Sequence, residues 1–205
     1  MNILKIRFKS THCYFIESGS GLLAFDAGWP DTYKAYKDGL KEQGYSVKDI
    51  RWLMVSHFHM DHAGLAGILV HHGVQFVVFS NQRAAIADME KLIERKNISY
   101  QKIDPTGITL MEIAQSRAWL AEIGIKGEVC HTNGHSEDSI SLILDSGEAF
   151  IGDLVPREDM IGEEDWKSQR SWALIRSKGA RCIKPAHAEE YEILDQEIPI
   201  HERKH

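Results

Sequence analysis

Long hydrophobic runs are missing from this chain: no stretch approaches the roughly 18 apolar residues of a membrane-spanning helix. The opening MNILKIRFKS also lacks the apolar core of a secretory signal. Cysteine is scarce. Cys13, Cys130 and Cys182 are odd in number and widely spaced. With no export signal, the expectation is reduced thiols, no disulfide framework and a cytoplasmic location. Basic charge is outnumbered, 24 Lys and Arg against 30 Asp and Glu, for a net charge of −6. A phosphate backbone requires a concentrated basic face, so neither nucleic acid nor membrane is an expected partner. Proline is sparse at five residues, and no low-complexity tract or solenoid-period repeat appears. What remains is 205 residues, 43% hydrophobic. That suits one domain with its own core, and a single domain over 1–205 is the expectation.

Apolar patterning predicts a meander of short strands at ILKIRF, HCYFIES and LLAFDAG, the last nearly all apolar, as in a sheet covered on both faces. DTYKAYKDGLKEQG reads as a helix, with Asp31 as N-cap and Gly44 as its stop. RWLMV and FVVFS read as buried strands, and ISYQKI as a further strand. AGLAGILVHHG, NQRAAIADMEKLIERK, SRAWLAEIG and EDWKSQRSWALIRSKG read as helices. GEVCHT is a strand ending in the loop NGHSEDS, SISLILDSG with EAFIGDL a hairpin, and RCIKPAH a last short strand. This mixture of alternation and hairpins predicts an α/β (α+β) chain. Two mixed sheets packed face to face with helices outside fit it better than a doubly wound parallel sheet.

One segment resists a purely structural reading. SHFHMDHAG, residues 56–64, places His57, His59, Asp61 and His62 directly after an apolar strand. In an extended strand end, residues 57, 59 and 61 point to one side. His57 and His59 can then share an ion, while a turn at Asp61–His62 offers a second set. Neutral imidazole and carboxylate are zinc-type ligands, and two imidazoles with open positions mark a catalytic site. A solvated His-rich loop is the plain alternative. Asp26 in FDAG, His135 in TNGHS, Asp153 in IGDL and His187 in KPAH supply further arms, each following an apolar run. Singly, each reads more simply as a turn or surface residue.

HFHMDH resembles the H-x-H-x-D-H signature of the metallo-β-lactamase fold superfamily. DAG, GHS, GD and the terminal AH resemble its other four motifs in order, from Asp26 to His187. The resemblance implies a four-layer αββα sandwich. It implies His57, His59 and His135 on a first metal, Asp61, His62 and His187 on a second, and Asp153 bridging them. Asp26 is implied to orient ligand histidines by hydrogen bonds. The implied cofactors are two zinc ions, with iron or manganese as alternatives. The implied chemistry is attack by a hydroxide made from metal-shared water and oriented by the catalytic Asp61, with no covalent intermediate. Homoserine-lactone lactonases share SHxHxDHAG closely, but no tyrosine lies between Leu154 and Ala186 as theirs does. Flavin-partnered iron relatives carry glutamate where His59 stands.

The expectation is therefore a minimal hydrolase of a small ester, thioester or lactone. A phosphodiesterase is the runner-up, and a mononuclear-iron dioxygenase of the same fold the second alternative. A small-molecule substrate and a monomer or homodimer go with this reading. Trp29 beside Pro30, Phe58, Met60 and His12 are candidate pocket residues, as are the loop VPREDMIG and its Arg157. Core packing or plain surface accounts for several of these equally well. His71, His72, His131, His201 and His205 read as surface, and Cys130 as a buried hydrophobe.

Overall fold

A computed structural model of the chain describes residues 1–156 and 165–193. Among these, the first sheet opens with three antiparallel strands: β1 (Ile3–Phe8), β2 (Thr11–Ser18) and β3 (Gly21–Phe25). Three parallel strands continue it: β4 (Ile50–Met54), β5 (Gln75–Phe79) and β6 (Ile108–Met111). The second sheet runs from β7 (Gly127–His131) through β8 (Ile140–Leu144) and β9 (Glu148–Gly152) in antiparallel order. It continues to β10 (Cys182–Pro185), parallel to β9, and the short β11 (Tyr191–Glu192). Both sheets are mixed, as the sequence pattern predicts.

The side-chain period of two explains the layering. On β2 and β3, Tyr14, Ile16, Leu23 and Phe25 face the second sheet, where they meet Val129, Leu142, Leu144 and Phe150. The alternate residues Cys13, Phe15, Leu22 and Ala24 face outward. They are covered by α1 (Tyr33–Glu42), α3 (Ala66–His71) and α4 (Arg83–Arg95), which contribute Tyr36, Leu40, Leu69, Met89 and Ile93. On the far side, Cys130, Ile143, Ala149 and Ile183 of the second sheet pack under Trp172 and Ile175 of α6 (Trp166–Ser177). α5 (Ser116–Glu122) closes the inter-sheet core with Leu120. The nearly continuous apolar run at β3 is thus explained: both of its faces are buried.

Four local expectations differ from the structure. ISYQKI is not a strand; residues 98–103 cross the backbone of α3, where a Cβ on Gly67 would meet Gln101 O at 1.9 Å. Ile98 and Tyr100 pack on the core, and the sheet position beside β5 belongs to β6, in the stretch left unassigned from sequence. Asp31 does not cap α1. Thr32 occupies that position without a side-chain bond, and the Asp31 carboxylate accepts from Lys9 Nζ at 2.6 Å instead. AGLAGILVHHG is helical only from Ala66, as α3; Gly64–Leu65 is a turn, and Ala63 closes a separate single-turn helix, α2 (Met60–Ala63). The strand before the histidine cluster ends at Met54, so Asp61 and His62 stand on a helical turn and not on extended chain. No helix among the described residues is long and apolar enough to cross a membrane.

Candidate metal centre

One end of the sandwich collects the ligand-type residues. Asp26 follows β3 in a left-handed conformation, φ 67°. His57 and His59 lie on the loop after β4, and Asp61 and His62 on α2. His135 sits in the β7–β8 loop, Asp153 directly after β9 and His187 two residues after β10. Their donor atoms form two sets, each drawn within 4.8 Å: His57, His59, His135 and Asp153, and Asp61, His62 and His187.

Asp153 joins the sets. Its Oδ2 lies 3.8 Å from His57 Nε2 and 3.6 Å from His135 Nε2. Its Oδ1 lies 3.2 Å from both His62 Nε2 and His187 Nε2. Asp61 Oδ2 completes the second set at 3.5 Å from His62 Nε2 and 3.2 Å from His187 Nε2. In the first set, His135 Nε2 and His59 Nδ1 are 3.1 Å apart. His57 Nε2, His62 Nε2 and Asp153 Oδ1 are buried without a hydrogen-bond partner. Buried polar atoms are rarely left unmatched. Three orphans converging from two sets fit a cation, and an imidazole–carboxylate donor set without thiolate suits zinc, iron or manganese.

The charges agree with this geometry. Burial, reinforced by the neighbouring His62, pushes His57 well below the ordinary imidazole range, and burial lowers His135. Burial also opposes the charged form of His62, but Asp26 and Asp153 outweigh it and raise that imidazole to about 10. The carboxylates of Asp153 and Asp61, each 3.2 Å from its Nε2, raise His187 to about 10 as well. Asp153 and Asp61 are held below the usual carboxylate range against their burial, chiefly by His187 and His62. Protons on His62 and His187 thus supply positive charge where a metal would supply it.

The supports around the cluster include residues that sequence reasoning passed over. Ser56, the first letter of SHFHMDHAG, donates its backbone N–H to Asp26 Oδ1 at 2.6 Å and its hydroxyl to Oδ2 at 3.0 Å. Asp138, three residues after His135, accepts the backbone N–H of Phe58 at 2.7 Å and so ties the His57–His59 segment to the His135 loop. The β1–β2 turn serves the other set: Ser10 O accepts from His187 Nδ1 at 2.8 Å, and Thr11 Oγ1 donates to Asp61 Oδ2 at 3.4 Å. Spacing alone carried no sign of these contacts, since each spans dozens of residues except those of Ser56 with its neighbours.

The pocket candidates separate. Phe58 and Met60 are buried in the outer core, with the Phe58 ring 5.8 Å from Phe76, so neither roofs the cluster. Trp29 is half-buried against the outer core. Its indole N–H donates to Ser10 Oγ at 3.4 Å, and Lys9 Nζ lies 5.3 Å from its ring centre. His12 is buried on the inter-sheet face beside Tyr14, its Nδ1 without a partner. Within VPREDMIG only Val155 and Pro156 are described; Arg157, His201 and His205 lie outside the described residues. His131 Nε2 donates to Glu137 O, and His72 stacks on Tyr33, both away from the two sets.

Comparison with known proteins bears on the fold. The sequence profile of the metallo-beta-lactamase superfamily matches residues 6–85. A beta-lactamase-like protein 2 homolog from Drosophila melanogaster is 27% identical over 183 residues, 87% of this chain. The chain spans 59% of that relative's length. Among solved structures, the metallo-beta-lactamase family protein TTHA1429 from Thermus thermophilus superposes with a TM-score of 0.71 at 15% identity, over 93% of this chain and 74% of that one. TTHA1623 in a di-iron-bound form gives 0.69 at 18% identity, over 94% of each chain. The B3 metallo-beta-lactamase BLEG-1 gives 0.68 at 20% identity, over 93% of this chain and 94% of that one.

Proposed function

We propose that this chain, whose fold is that of the metallo-β-lactamase superfamily, is a hydrolase with a dinuclear metal centre, most simply zinc, acting on a small ester, thioester or lactone. The observation that carries the reading is Asp153, with one carboxylate oxygen facing each set and buried, partnerless imidazole nitrogens on either side. His57, His59 and His135 would hold one ion, Asp61, His62 and His187 the other, with Asp153 shared. When bound, such a pair lowers the pKa of a shared water and polarises a carbonyl.

The chain's own groups do the rest. In this reading Asp61 orients the attacking water, with Thr11 and His187 against its Oδ2. Ser56 lies against two histidines and an aspartate, which invites a serine-nucleophile reading. Its hydroxyl is buried at 1% exposure and donates to Asp26, so it is not offered to a substrate. We therefore read the attack as one by water, with no covalent intermediate on Ser56. Trp29, whose indole bonds the Ser10 that also holds His187, suits a partly apolar substrate, and the net charge of −6 disfavours polyanions.

The test combines elemental analysis with a substrate panel. About two metal ions per chain are expected, in line with a two-metal site. Chelation and Asp61→Ala should abolish hydrolysis of activated esters, thioesters or lactones. His135→Ala should empty the first set, and His187→Ala should weaken only the second. One iron per chain with no response to added zinc would move the reading to the dioxygenase. Bis-aryl phosphodiester turnover far above every carbonyl substrate would make the phosphodiesterase primary.

A further inference from the structure

The hydroxyl of Ser56 touches three groups at once: Asp26 Oδ2 at 3.0 Å, His57 Nδ1 at 3.0 Å and His62 Nδ1 at 3.2 Å. His62 Nδ1 also reaches Asp26 Oδ2 directly, at 2.9 Å. His57 and Asp26 make no such direct contact among these bonds, so Ser56 is the link from the carboxylate to the first set. A hydroxyl has one proton, and a carboxylate only accepts. Once that proton goes to Asp26, the Ser56 oxygen presents only lone pairs to His57. His57 Nδ1 must then be the protonated nitrogen, and its Nε2 is left bare. That nitrogen is the buried, partnerless atom facing Asp153.

We propose that Ser56 is a positioning residue that extends the hold of Asp26 to both half-sites, imposing the Nδ1–H tautomer on His57 and so directing its Nε2 lone pair to the first metal. The inference rests on the metal reading above and specifies how the first set is prepared. One buried aspartate serves His62 directly and His57 through the serine. The two sets therefore share a base beneath them as well as Asp153 between them.

The test is long-range proton–nitrogen NMR on histidine-labelled protein after chelation, together with zinc competition titrations and a thermal melt. Chelated wild type should show His57 as the neutral Nδ1–H tautomer. Ser56→Ala should lose that preference and bind its first zinc about 10–100-fold more weakly, the usual cost of removing a ligand's supporting bond. Asp26→Asn goes further. If its amide oxygen keeps the Ser56 N–H, its NH2 donates to the serine, whose proton then turns to His57 Nδ1. His57 should switch to Nε2–H and the first site should close. The proposal is overturned if wild-type His57 carries its proton on Nε2, an outcome that needs no variant. It is equally overturned if Ser56→Ala keeps both the tautomer and the zinc affinity. A wild-type chain that takes up no zinc overturns the metal reading, and the positioning role with it, whatever the tautomer.

Discussion

Gly152→Ala should strike the base of the site without touching a ligand. Gly152 precedes Asp153, ends β9 and has φ 56°, a left-handed conformation. An alanine there carries a backbone penalty of about 1–2 kcal/mol. Its Cβ would also lie 2.5 Å from both Cβ and Oγ of Ser56, with His57 Nδ1 beyond at 3.8 Å. Carbon contacts settle near ~3.5–4.0 Å, so roughly 1 Å of displacement is forced. Ser56 has nowhere to go, because its oxygen is shared among Asp26, His57 and His62. Overpacking of this kind costs about 1–3 kcal/mol. The sum is about 2–5 kcal/mol, and at ~2–4 °C per kcal/mol for a chain this size the melting point should fall on the order of 10 °C. Gly179→Ala is the control. Gly179 is also left-handed, φ 81°, but nothing lies within 4 Å of its added Cβ, so it carries the backbone penalty alone. Melts and zinc titrations of both variants decide the matter. Equal destabilisation, or unchanged zinc affinity in Gly152→Ala, would show that the contact with Ser56 is not tight and would refute the reasoning.

Two further outcomes are expected. In chelated protein, His62 and His187 keep their protons up to about 10 when folded but release them near the ordinary 6.5 when unfolded. A raised pKa contributes fully below the unfolded value and is lost as pH rises toward the folded one. Stability of the metal-free form should therefore decline as pH rises from 6.5 to about 10, with a shallower slope in His187→Gln; a flat profile in denaturant titrations would contradict the assigned charges. Asp138→Ala removes the acceptor of the buried Phe58 N–H. It should cost about 1–3 kcal/mol, the penalty of an unsatisfied buried donor, and weaken first-site zinc binding. Asp138→Asn, which can still accept, should recover most of both.

Much of the fold was legible because burial writes itself into sequence at fixed periods. Strands β2, β3, β4 and β5 stand out as apolar runs or alternations, and α4 and α6 as amphipathic segments bounded by turn residues. β6 was not legible. ITLM is short, and its first three residues are not fully buried, so it lacks a pattern of its own and is a strand only because β5 offers an edge. ISYQKI carries strand-like residues and yet pairs with nothing, because the position it would fill is already taken. Local propensity competes with the available partners, and the partners prevail.

The site divides along the same line. Its ligand-type residues were readable because metal chemistry needs histidine and aspartate, and because strand ends leave such residues beside glycines and turns. Spacing within SHFHMDHAG even separated two half-sets, although by an extended-chain argument that the helical turn α2 replaces. What the linear chain could not contain is which atoms face which. The division of Asp153 between the sets, the hold of Ser56 on His57, the clamp of Asp138 on Phe58 and the service of the β1–β2 turn to His187 join segments 1 to 177 residues apart. Residue type is a local property and was set by the sequence; the direction of a lone pair depends on packing from every side, and only the closed sandwich decides it.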